Sequence, residues 1–157
     1  MPRAVVLTVS DRSAAGLRPD TSGPVAVEAL RAAGWDCDDA TVVPDGADSV
    51  EGALRAAIAS GAVLIVTTGG TGVGPRDATP EGTARVIERE VPGIAEELRR
   101  LGASVKPAGM LSRGLAGVTD RALIVNLPGS PGAVASGVPV ILSVATHVVD
   151  QLSGGDH

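Results

Sequence analysis

The chain has almost no aromatic side chains: its 157 residues include no Phe or Tyr and a single Trp, Trp35. Platforms on which bases could stack are therefore scarce. Thirteen basic and eighteen acidic residues give a net charge of 13 − 18 = −5, which opposes a general affinity for nucleic acid or an acidic membrane surface. We expect no nucleic-acid partner. A small charged ligand is compatible with this composition, since a local site need not share the sign of the whole chain.

Cysteine and histidine are also rare. The single cysteine, Cys37, cannot form an internal disulfide, which suits a reducing compartment, and we interpret it as an unreactive thiol at a strand edge. His147 and His157 are isolated from each other and from the cysteine, so no zinc site is predicted. The N-terminal apolar run, Ala4–Val9, is too short for a signal sequence or a membrane span. These features predict a cytoplasmic protein without a membrane partner.

Three short apolar runs alternate with longer alanine-rich segments of helical spacing. The runs are AVVLTVS (4–10), DATVVP (39–44) and AVLIVTT (62–68). This alternation is typical of a parallel α/β sheet with helices on both faces. We predict one three-layer α/β domain over residues 1–157, with a mostly parallel sheet flanked by helices.

The second half of the chain is less regular. We predict helices over about 80–90 and 93–101, and then a short antiparallel hairpin in GLAGVTDRALIVNLPG that turns at Thr119–Arg121 and ends at Asn126. The following segment, SPGAVASGVPVILSVATHVVDQL, is predicted to be helical and interrupted near Pro139. The tail, 153–157, is expected to fray.

Three helices are predicted to begin with proline at the first helical position, at Pro24, Pro80 and Pro131. One interpretation is that these are simply favourable helix starts. In a parallel sheet, however, helices that follow strands begin at the carboxyl edge of the sheet, so their unpaired N–H groups would face one crevice. Such an edge can receive phosphate groups even in an acidic protein.

The stretch VLIVTTGGTGVGPRDATPEG (63–82) places four glycines, Gly69, Gly70, Gly72 and Gly74, directly after a predicted buried strand. The glycines could serve only a tight turn, or they could let the backbone approach an anion. The stretch is not a P-loop, because Pro75 and Arg76 stand where that motif needs lysine and a hydroxyl residue. It is not the dinucleotide fingerprint either, which should follow the first strand.

Three aspartates, Asp11, Asp45 and Asp77, are predicted to project from the same edge of the sheet. A carboxylate beside a phosphate is repelled unless a cation lies between them, and Mg²⁺ commonly binds one or two carboxylates together with phosphate oxygens. We therefore interpret Asp45 and Asp77 as ligands of Mg²⁺. Two alternatives remain: Asp45 could be a turn or cap residue, and Asp77 could form an ion pair with Arg76.

Several motifs together resemble the MoaB/Mog family of molybdenum cofactor biosynthesis. They are VSDR (9–12), PDTSGP (19–24), VVPD (42–45), TTGGTGVGPRDATPE (67–81), MLSRGLAG (110–117) and NLPGSPGAV (126–134), in that order along nearly the whole chain. The resemblance implies a molybdopterin-binding domain with molybdopterin adenylyltransferase activity. Such an enzyme uses Mg²⁺ and ATP to place AMP on the terminal phosphate of molybdopterin and releases pyrophosphate.

The resemblance also implies partners and site residues. It implies a homotrimer, or a hexamer, and a transient contact with a molybdenum-insertion protein. Asp45 and Asp77 map onto the family's two essential aspartates. The nucleotide or phosphate contacts are assigned to Ser10, Asp11, Gly69, Gly70, Thr71, Gly72, Thr79 and Glu81, and the pterin or phosphate contacts to Ser22, Gly23, Pro128, Gly129 and Ser130. A non-catalytic pterin-binding protein and a nucleotide-pyrophosphate hydrolase of related fold remain as alternatives.

Overall fold

A computed structural model describes residues 1–155, which form an α/β fold around a seven-stranded sheet. His157, and the end of the tail that was expected to fray, lie outside the described residues. The strands are β1 (Arg3–Val9), β2 (Asp36–Cys37), β3 (Thr41–Val43), β4 (Leu64–Thr68), β5 (Arg89–Glu90), β6 (Ala116–Val118) and β7 (Leu123–Leu127). The helices are α1 (Asp11–Ala14), α2 (Ser22–Ala32), α3 (Ala47–Ala59), α4 (Thr79–Ala84), α5 (Pro92–Val105), a 3₁₀ helix (Pro107–Leu111) and α6 (Pro131–Leu152).

The sheet is parallel at its centre and antiparallel at one side. Strand β1 pairs in parallel with β2, β3 and β4, and β4 pairs in parallel with β7. Strands β7, β6 and β5 then continue the sheet in antiparallel pairs. The predicted α/β fold with its antiparallel hairpin is therefore confirmed. The carboxyl ends of β1, β4 and β7 lie side by side, with Thr8 opposite Thr68 and Thr68 opposite Leu127.

Two apolar layers cover the two faces of this sheet. On one face, the core contains residues of α2, α5 and α6, such as Leu30, Ile94 and Ile141. On the other face, Val50 and Leu54 of α3 pack with residues of β1, β4 and β7. The buried strand β4 contributes alternate residues to the two layers, as expected for a central strand covered on both sides.

Helix α6 runs unbroken through Pro139, so the predicted interruption is wrong. Proline removes one backbone hydrogen bond, to the carbonyl of Ala135, and both residues lie on the exposed side of the helix, where water can bind the freed carbonyl. By length and composition α6 could cross a membrane, with 28% of its most apolar window buried. In this fold it packs against α2, α5 and β7 and contributes four fully buried side chains, Val134, Val138, Ile141 and Ala145.

The segment after the glycine stretch also differs from the prediction of a helix over about 80–90. Helix α4 ends at Ala84, and the chain turns so that Val86 and Ile87 donate to the carbonyl of Thr83. Glu88 then donates to the carbonyl of Val118, which starts the pairing of β5 with β6. This strand depends on a partner about thirty residues away, which local helical spacing cannot reveal. The next helix, α5, is longer than the predicted 93–101.

The predicted helix starts are only partly confirmed. Helix α6 begins at Pro131 with Ser130 as its N-cap, as expected. Helix α4 begins one residue before Pro80, and α2 begins at Ser22, two residues before Pro24. Helix α5, which was not among the three, begins at Pro92. The predicted hairpin turn is confirmed, since the Thr119 N–H donates to the carbonyl of Ala122 and the Thr119 hydroxyl accepts from the Ala122 N–H.

Two glycines provide a matched test of how α3 and α4 pack beside the glycine stretch. A Cβ on Gly82 would lie 2.7 Å from the carbonyl oxygen of Ala47 and 2.8 Å from the Cβ of Val50, whereas a Cβ on Gly52 meets nothing within 4 Å. We expect Gly82→Ala to destabilise the protein by about 1–3 kcal/mol because α3 must move. Gly52→Ala should stabilise it by about 0.5–1 kcal/mol through helix propensity. Urea unfolding measures both, and equal effects would contradict this packing.

Candidate phosphate-binding site

A cavity of about 740 Å³ lies at the carboxyl edge of the sheet. It brings together ten of the predicted site residues: Ser10, Ser22, Gly69, Gly70, Thr71, Gly72, Asp77, Pro128, Gly129 and Ser130. Five others, Asp11, Gly23, Asp45, Thr79 and Glu81, do not line it. Several of these five residues form hydrogen bonds that fix the residues of the cavity lining in place.

The glycine stretch leaves the sheet through two residues with positive φ, Gly69 at 92° and Gly70 at 68°. A Cβ on Gly69 would lie 2.3 Å from the carbonyl oxygen of Val9, so no other residue fits between the ends of β1 and β4. The Gly69 N–H donates to the carbonyl of Leu127. Within residues 1–155, the N–H groups of Gly70, Thr71 and Gly72 have no hydrogen-bond acceptor. Consecutive free amides at a turn form a concave site for an anion.

Thr79 stabilises this turn through hydrogen bonds to its backbone. It is fully buried, its hydroxyl donates to the carbonyl of Gly69 at 2.9 Å, and its N–H donates to the carbonyl of Gly70 at 3.0 Å. Because both of its polar groups are engaged by the backbone of the turn, Thr79 holds the glycines in place. The direct nucleotide contact predicted for Thr79 does not fit this position.

Asp11 and Asp45 join the ends of two strands by exchanging hydrogen bonds. The Asp11 N–H donates to the Asp45 carboxylate at 3.0 Å, and the Asp45 N–H donates to the Asp11 carboxylate at 3.1 Å. Arg76 donates two further hydrogen bonds to the Asp11 carboxylate and one to the carbonyl of Asp45. Arg76 therefore pairs with Asp11, and the alternative of an Arg76 ion pair with Asp77 is wrong.

The two carboxylates of this pair have opposite pKa shifts. The hydrogen bonds from Arg76 lower the pKa of Asp11. Partial burial raises the pKa of Asp45, and the negative charges of Asp11 and Asp77 raise it further. The Asp11 N–H and the charge of Arg76 act in the opposite direction, but the net effect on the pKa of Asp45 is a rise.

Asp45 and Asp77 each keep one carboxylate oxygen free. Asp45 Oδ2 accepts from the Asp11 N–H, and Asp77 Oδ2 accepts from the Gly74 N–H at 3.0 Å. Their Oδ1 atoms accept no hydrogen bond from the described residues, and Asp45 Oδ1 lies against Gly70. No group of three or more His, Cys, Asp or Glu side chains that could hold a metal ion occurs in residues 1–155. Two free carboxylate oxygens that border one glycine turn are the kind of ligand that Mg²⁺ takes together with phosphate and water oxygens.

Arg113, which sequence reasoning did not assign, clamps the far side of the glycine stretch. Its guanidinium donates to the carbonyls of Gly72 at 2.8 Å and Asp77 at 3.0 Å, and forms a two-pronged ion pair with Glu81. The backbone N–H of Arg113 donates to the carbonyl of Thr71 at 2.8 Å. Glu81, predicted to contact the nucleotide, instead binds Arg113, which lowers the pKa of its carboxyl. The motif MLSRGLAG contained this arginine, but only the fold reveals its contacts.

Asp20 is a second residue of the site that was not predicted from the sequence. Its contacts change the expectation that the N-terminus of α2 is free to bind a ligand. Its Oδ1 accepts from the N–H groups of Ser22 at 3.2 Å and Gly23 at 2.9 Å, and its Oδ2 accepts from the Thr8 hydroxyl at 2.7 Å. The N-terminus of α2 is therefore already capped by a carboxylate. Gly23 is buried against Asp20 and Thr8, so the predicted ligand contact of Gly23 does not fit this structure.

The start of α6 forms the opposite wall. The Ser130 hydroxyl caps this helix by accepting from the Ala133 N–H at 3.2 Å. The Ser22 hydroxyl donates to the carbonyl of Gly129 and so joins the start of α2 to the start of α6. Pro128, Gly129 and Ser130 all line the cavity, as the sequence led us to expect.

The remaining wall, formed by α5 and the 3₁₀ helix, is mainly apolar, with Leu98, Leu101 and Leu111 facing the cavity. Basic residues also line the cavity. Arg18, Arg99 and Lys106 line the cavity, compared with Asp20 and Asp77 among the acidic residues. The cavity thus offers cationic groups and apolar surface within a chain of net charge −5.

A mostly parallel sheet with an amide-rich turn and basic residues at its carboxyl edge is the architecture of many α/β proteins that bind phosphorylated ligands there. Comparison with known families makes the class more specific. Residues 5–147 match the family model described as "Probable molybdopterin binding domain". The chain belongs to this family, as its motifs suggested.

Individual relatives agree with this assignment. The chain is 42% identical over 154 residues to the molybdenum cofactor biosynthesis bifunctional protein of Synechococcus elongatus, covering 98% of this chain and 48% of the relative. It is 34% identical to the molybdopterin adenylyltransferase of Helicobacter pylori (strain 26695), covering 95% of this chain and 86% of the relative. The molybdopterin biosynthesis enzyme MoaB of Thermus thermophilus has a TM-score of 0.88 at 42% identity, covering 98% of each chain.

These relatives differ in length. The chain spans about half the length of the bifunctional relatives it matches, but most of the length of the adenylyltransferase. By their names, the relatives of both kinds are molybdenum cofactor biosynthesis proteins, and those named molybdopterin adenylyltransferase are enzymes.

The opposite pKa shifts of Asp45 and Asp11 can be tested by measuring how the Tm of variants depends on pH. The folded protein disfavours the ionised form of Asp45, so its penalty is present at neutral pH and vanishes as the pH falls below the unfolded pKa of about 4. We expect Asp45→Asn to raise Tm at pH 7 by roughly 2 °C, because a partly exposed carboxylate is screened by solvent. The gain should shrink towards pH 4.

Asp11→Asn is the matched control. The folded protein favours the ionised form of Asp11, so its contribution to stability is present above the unfolded pKa and is lost as the pH falls through the lower folded pKa. This variant should therefore lower Tm at pH 7. Thermal unfolding of both variants across this pH range provides the measurement. Shifts of the same sign at pH 7 would show that the two carboxylates do not have the environments described.

Proposed function

We propose that the chain is a Mg²⁺-dependent molybdopterin adenylyltransferase, which transfers AMP from ATP to the terminal phosphate of molybdopterin and releases pyrophosphate. The observation that carries the proposal is that three free amides, Gly70 to Gly72, and two carboxylates with free oxygens, Asp45 and Asp77, border the same turn. The relatives of similar length that are named molybdopterin adenylyltransferase support it.

The reaction brings together two anions, so its main requirement is to offset negative charge. In the proposed reaction, an oxygen of the terminal phosphate of molybdopterin attacks the α-phosphorus of ATP. The bond from that phosphorus to the bridging oxygen breaks, and pyrophosphate leaves with the electron pair. The substrate supplies the nucleophile, so no activated serine or cysteine is required.

Each part of the site has a task in this proposal. The amides of Gly70 to Gly72 hold phosphate oxygens, and Asp45 and Asp77 hold the metal. Bound Mg²⁺ would neutralise phosphate charge and stabilise the charge growing on the leaving pyrophosphate. Thr79 and Arg113 keep the turn rigid, so that its amides need no rearrangement during the reaction. The apolar wall and the basic residues of the cavity suit ligands that join a ring system to a phosphate.

The proposal extends to the assembly. We propose that the chain forms a homotrimer, or a hexamer, and contacts a molybdenum-insertion protein transiently. The partly exposed apolar surface of α6 supports self-association, because an apolar surface of this kind is more stable when another copy covers it.

The experiment that tests the proposal measures pyrophosphate release from Mg-ATP with and without molybdopterin. Release that requires molybdopterin is the expected result. Tight binding of molybdopterin without release would instead favour a non-catalytic binding protein. Release that does not depend on molybdopterin would favour a nucleotide-pyrophosphate hydrolase.

Variants of Asp77 make this test specific. We expect Asp77→Ala to lower turnover by at least about a hundredfold while molybdopterin still binds, because the substrate charge loses its counterion. Asp77→Asn should have a similar effect, although it keeps an acceptor for the Gly74 N–H. The control is Asp48→Asn, since Asp48 is an exposed carboxylate on α3 that pairs with Arg85. Unchanged turnover in both Asp77 variants would remove this residue from the mechanism.

A further inference from the structure

Thr68, the last residue of β4, has a buried hydroxyl without a partner. Its side chain is 1% exposed, and Thr68 Oγ1 is the one buried side-chain oxygen or nitrogen in residues 1–155 that makes no hydrogen bond. Buried polar atoms are nearly always hydrogen-bonded, because an unpaired one retains its full cost of desolvation. An unpaired hydroxyl at this position therefore requires an explanation.

Strand β4 directs the side chain of Thr68 to the face of the sheet that is covered by α2 and α6. Leu64 and Val66 pack into the core beneath α2 and α6, so Thr68, two residues further, faces the same side. Thr67 faces the opposite side, where its hydroxyl accepts a hydrogen bond from Asn126 at 3.0 Å. Thr68 also lines the cavity. The Thr68 side chain is thus part of the cavity wall.

The neighbouring hydroxyls on this side are already engaged. Thr8, directly opposite Thr68 on β1, donates to Asp20, and Ser22 donates to the carbonyl of Gly129. On the other side Thr68 is opposite Leu127, which has no polar side-chain atom. Thr68 is followed within two residues by the free amides of Gly70 to Gly72. The free hydroxyl and the free amides therefore occur in one short segment of the cavity wall.

We propose that the Thr68 hydroxyl is a ligand contact, which donates a hydrogen bond to a phosphoryl oxygen of the molecule held by the Gly70 to Gly72 amides. A hydroxyl that donates to an anionic oxygen forms a stronger hydrogen bond than a neutral pair does. The contact explains why a buried strand ends with a polar side chain that the protein itself leaves unpaired. This inference rests on the proposed function only for the identity of the phosphorylated ligand.

The test uses Thr68→Val, which keeps the shape of the side chain and removes the hydroxyl. Titration calorimetry with inorganic pyrophosphate and with ATP, each in the presence of Mg²⁺, should show an affinity about tenfold lower than that of the wild type, the loss expected for one hydrogen bond to a charged group. The ligand-free variant should be at least as stable as the wild type, because an unpaired buried polar group is gone. Thr68→Ser keeps the hydroxyl and should retain most of the affinity.

Thr67→Val is the matched control on the same strand. It removes a hydroxyl that accepts a hydrogen bond from Asn126 on the opposite face, so it should lower Tm by roughly 2–4 °C and leave the affinity for both ligands unchanged. A Thr68→Val protein with a lower Tm and unchanged affinity would show that the hydroxyl binds a structural water, and would overturn the inference. Absence of pyrophosphate and Mg-ATP binding by the wild type would also overturn it.

The inference and the proposed function can fail separately. If Thr68→Val weakens pyrophosphate binding but the wild type releases no pyrophosphate from Mg-ATP and molybdopterin, the ligand contact stands and the adenylyltransferase proposal fails. If the wild type shows molybdopterin-dependent release and Thr68→Val matches it in KM for ATP and in pyrophosphate affinity, the function stands and the ligand contact fails.

Discussion

The site depends on the exchange of hydrogen bonds between Asp11 and Asp45. Each residue donates its backbone N–H to the carboxylate of the other, which ties the end of β1 to the segment that enters α3. Arg76 completes the arrangement but binds Asp11 alone among the carboxylates. Asp45 is consequently fixed beside the glycine turn with Asp77 nearby, and its pKa is raised. The folded protein thus holds negative charge that a cation would relieve.

One set of donors that can receive an anion lies where β4 ends at the cavity. The N-terminus of α2 is already capped by the carboxylate of Asp20, whereas the amides of Gly70 to Gly72 and the hydroxyl of Thr68, at the end of β4, are free. Thr79 and Arg113 hold this turn through its carbonyls and leave its amides free. Unpaired donors and repelling carboxylates both lower stability, which is a common cost of a binding site prepared in advance.

The sequence predicted the sheet and the edge on which the site lies, because a buried parallel strand such as β4 is a local apolar run and carboxyl ends of parallel strands meet. It could not predict contacts between distant residues. Arg76 and Asp11 are 65 positions apart, and Arg113 and Glu81 are 32 apart. The two-residue strand β5 exists only through its pairing with β6. Such features depend on tertiary geometry rather than on local spacing.

The central proposal is that the carboxylates of Asp45 and Asp77 hold a divalent cation that strengthens the binding of a polyphosphate. Titration calorimetry of the wild-type protein with ATP, in the presence of Mg²⁺ and in the presence of a chelator, tests it most directly. The account predicts that removal of the metal lowers the affinity for ATP by at least about tenfold, because the free carboxylates then repel the phosphates. Equal affinity under the two conditions would contradict it.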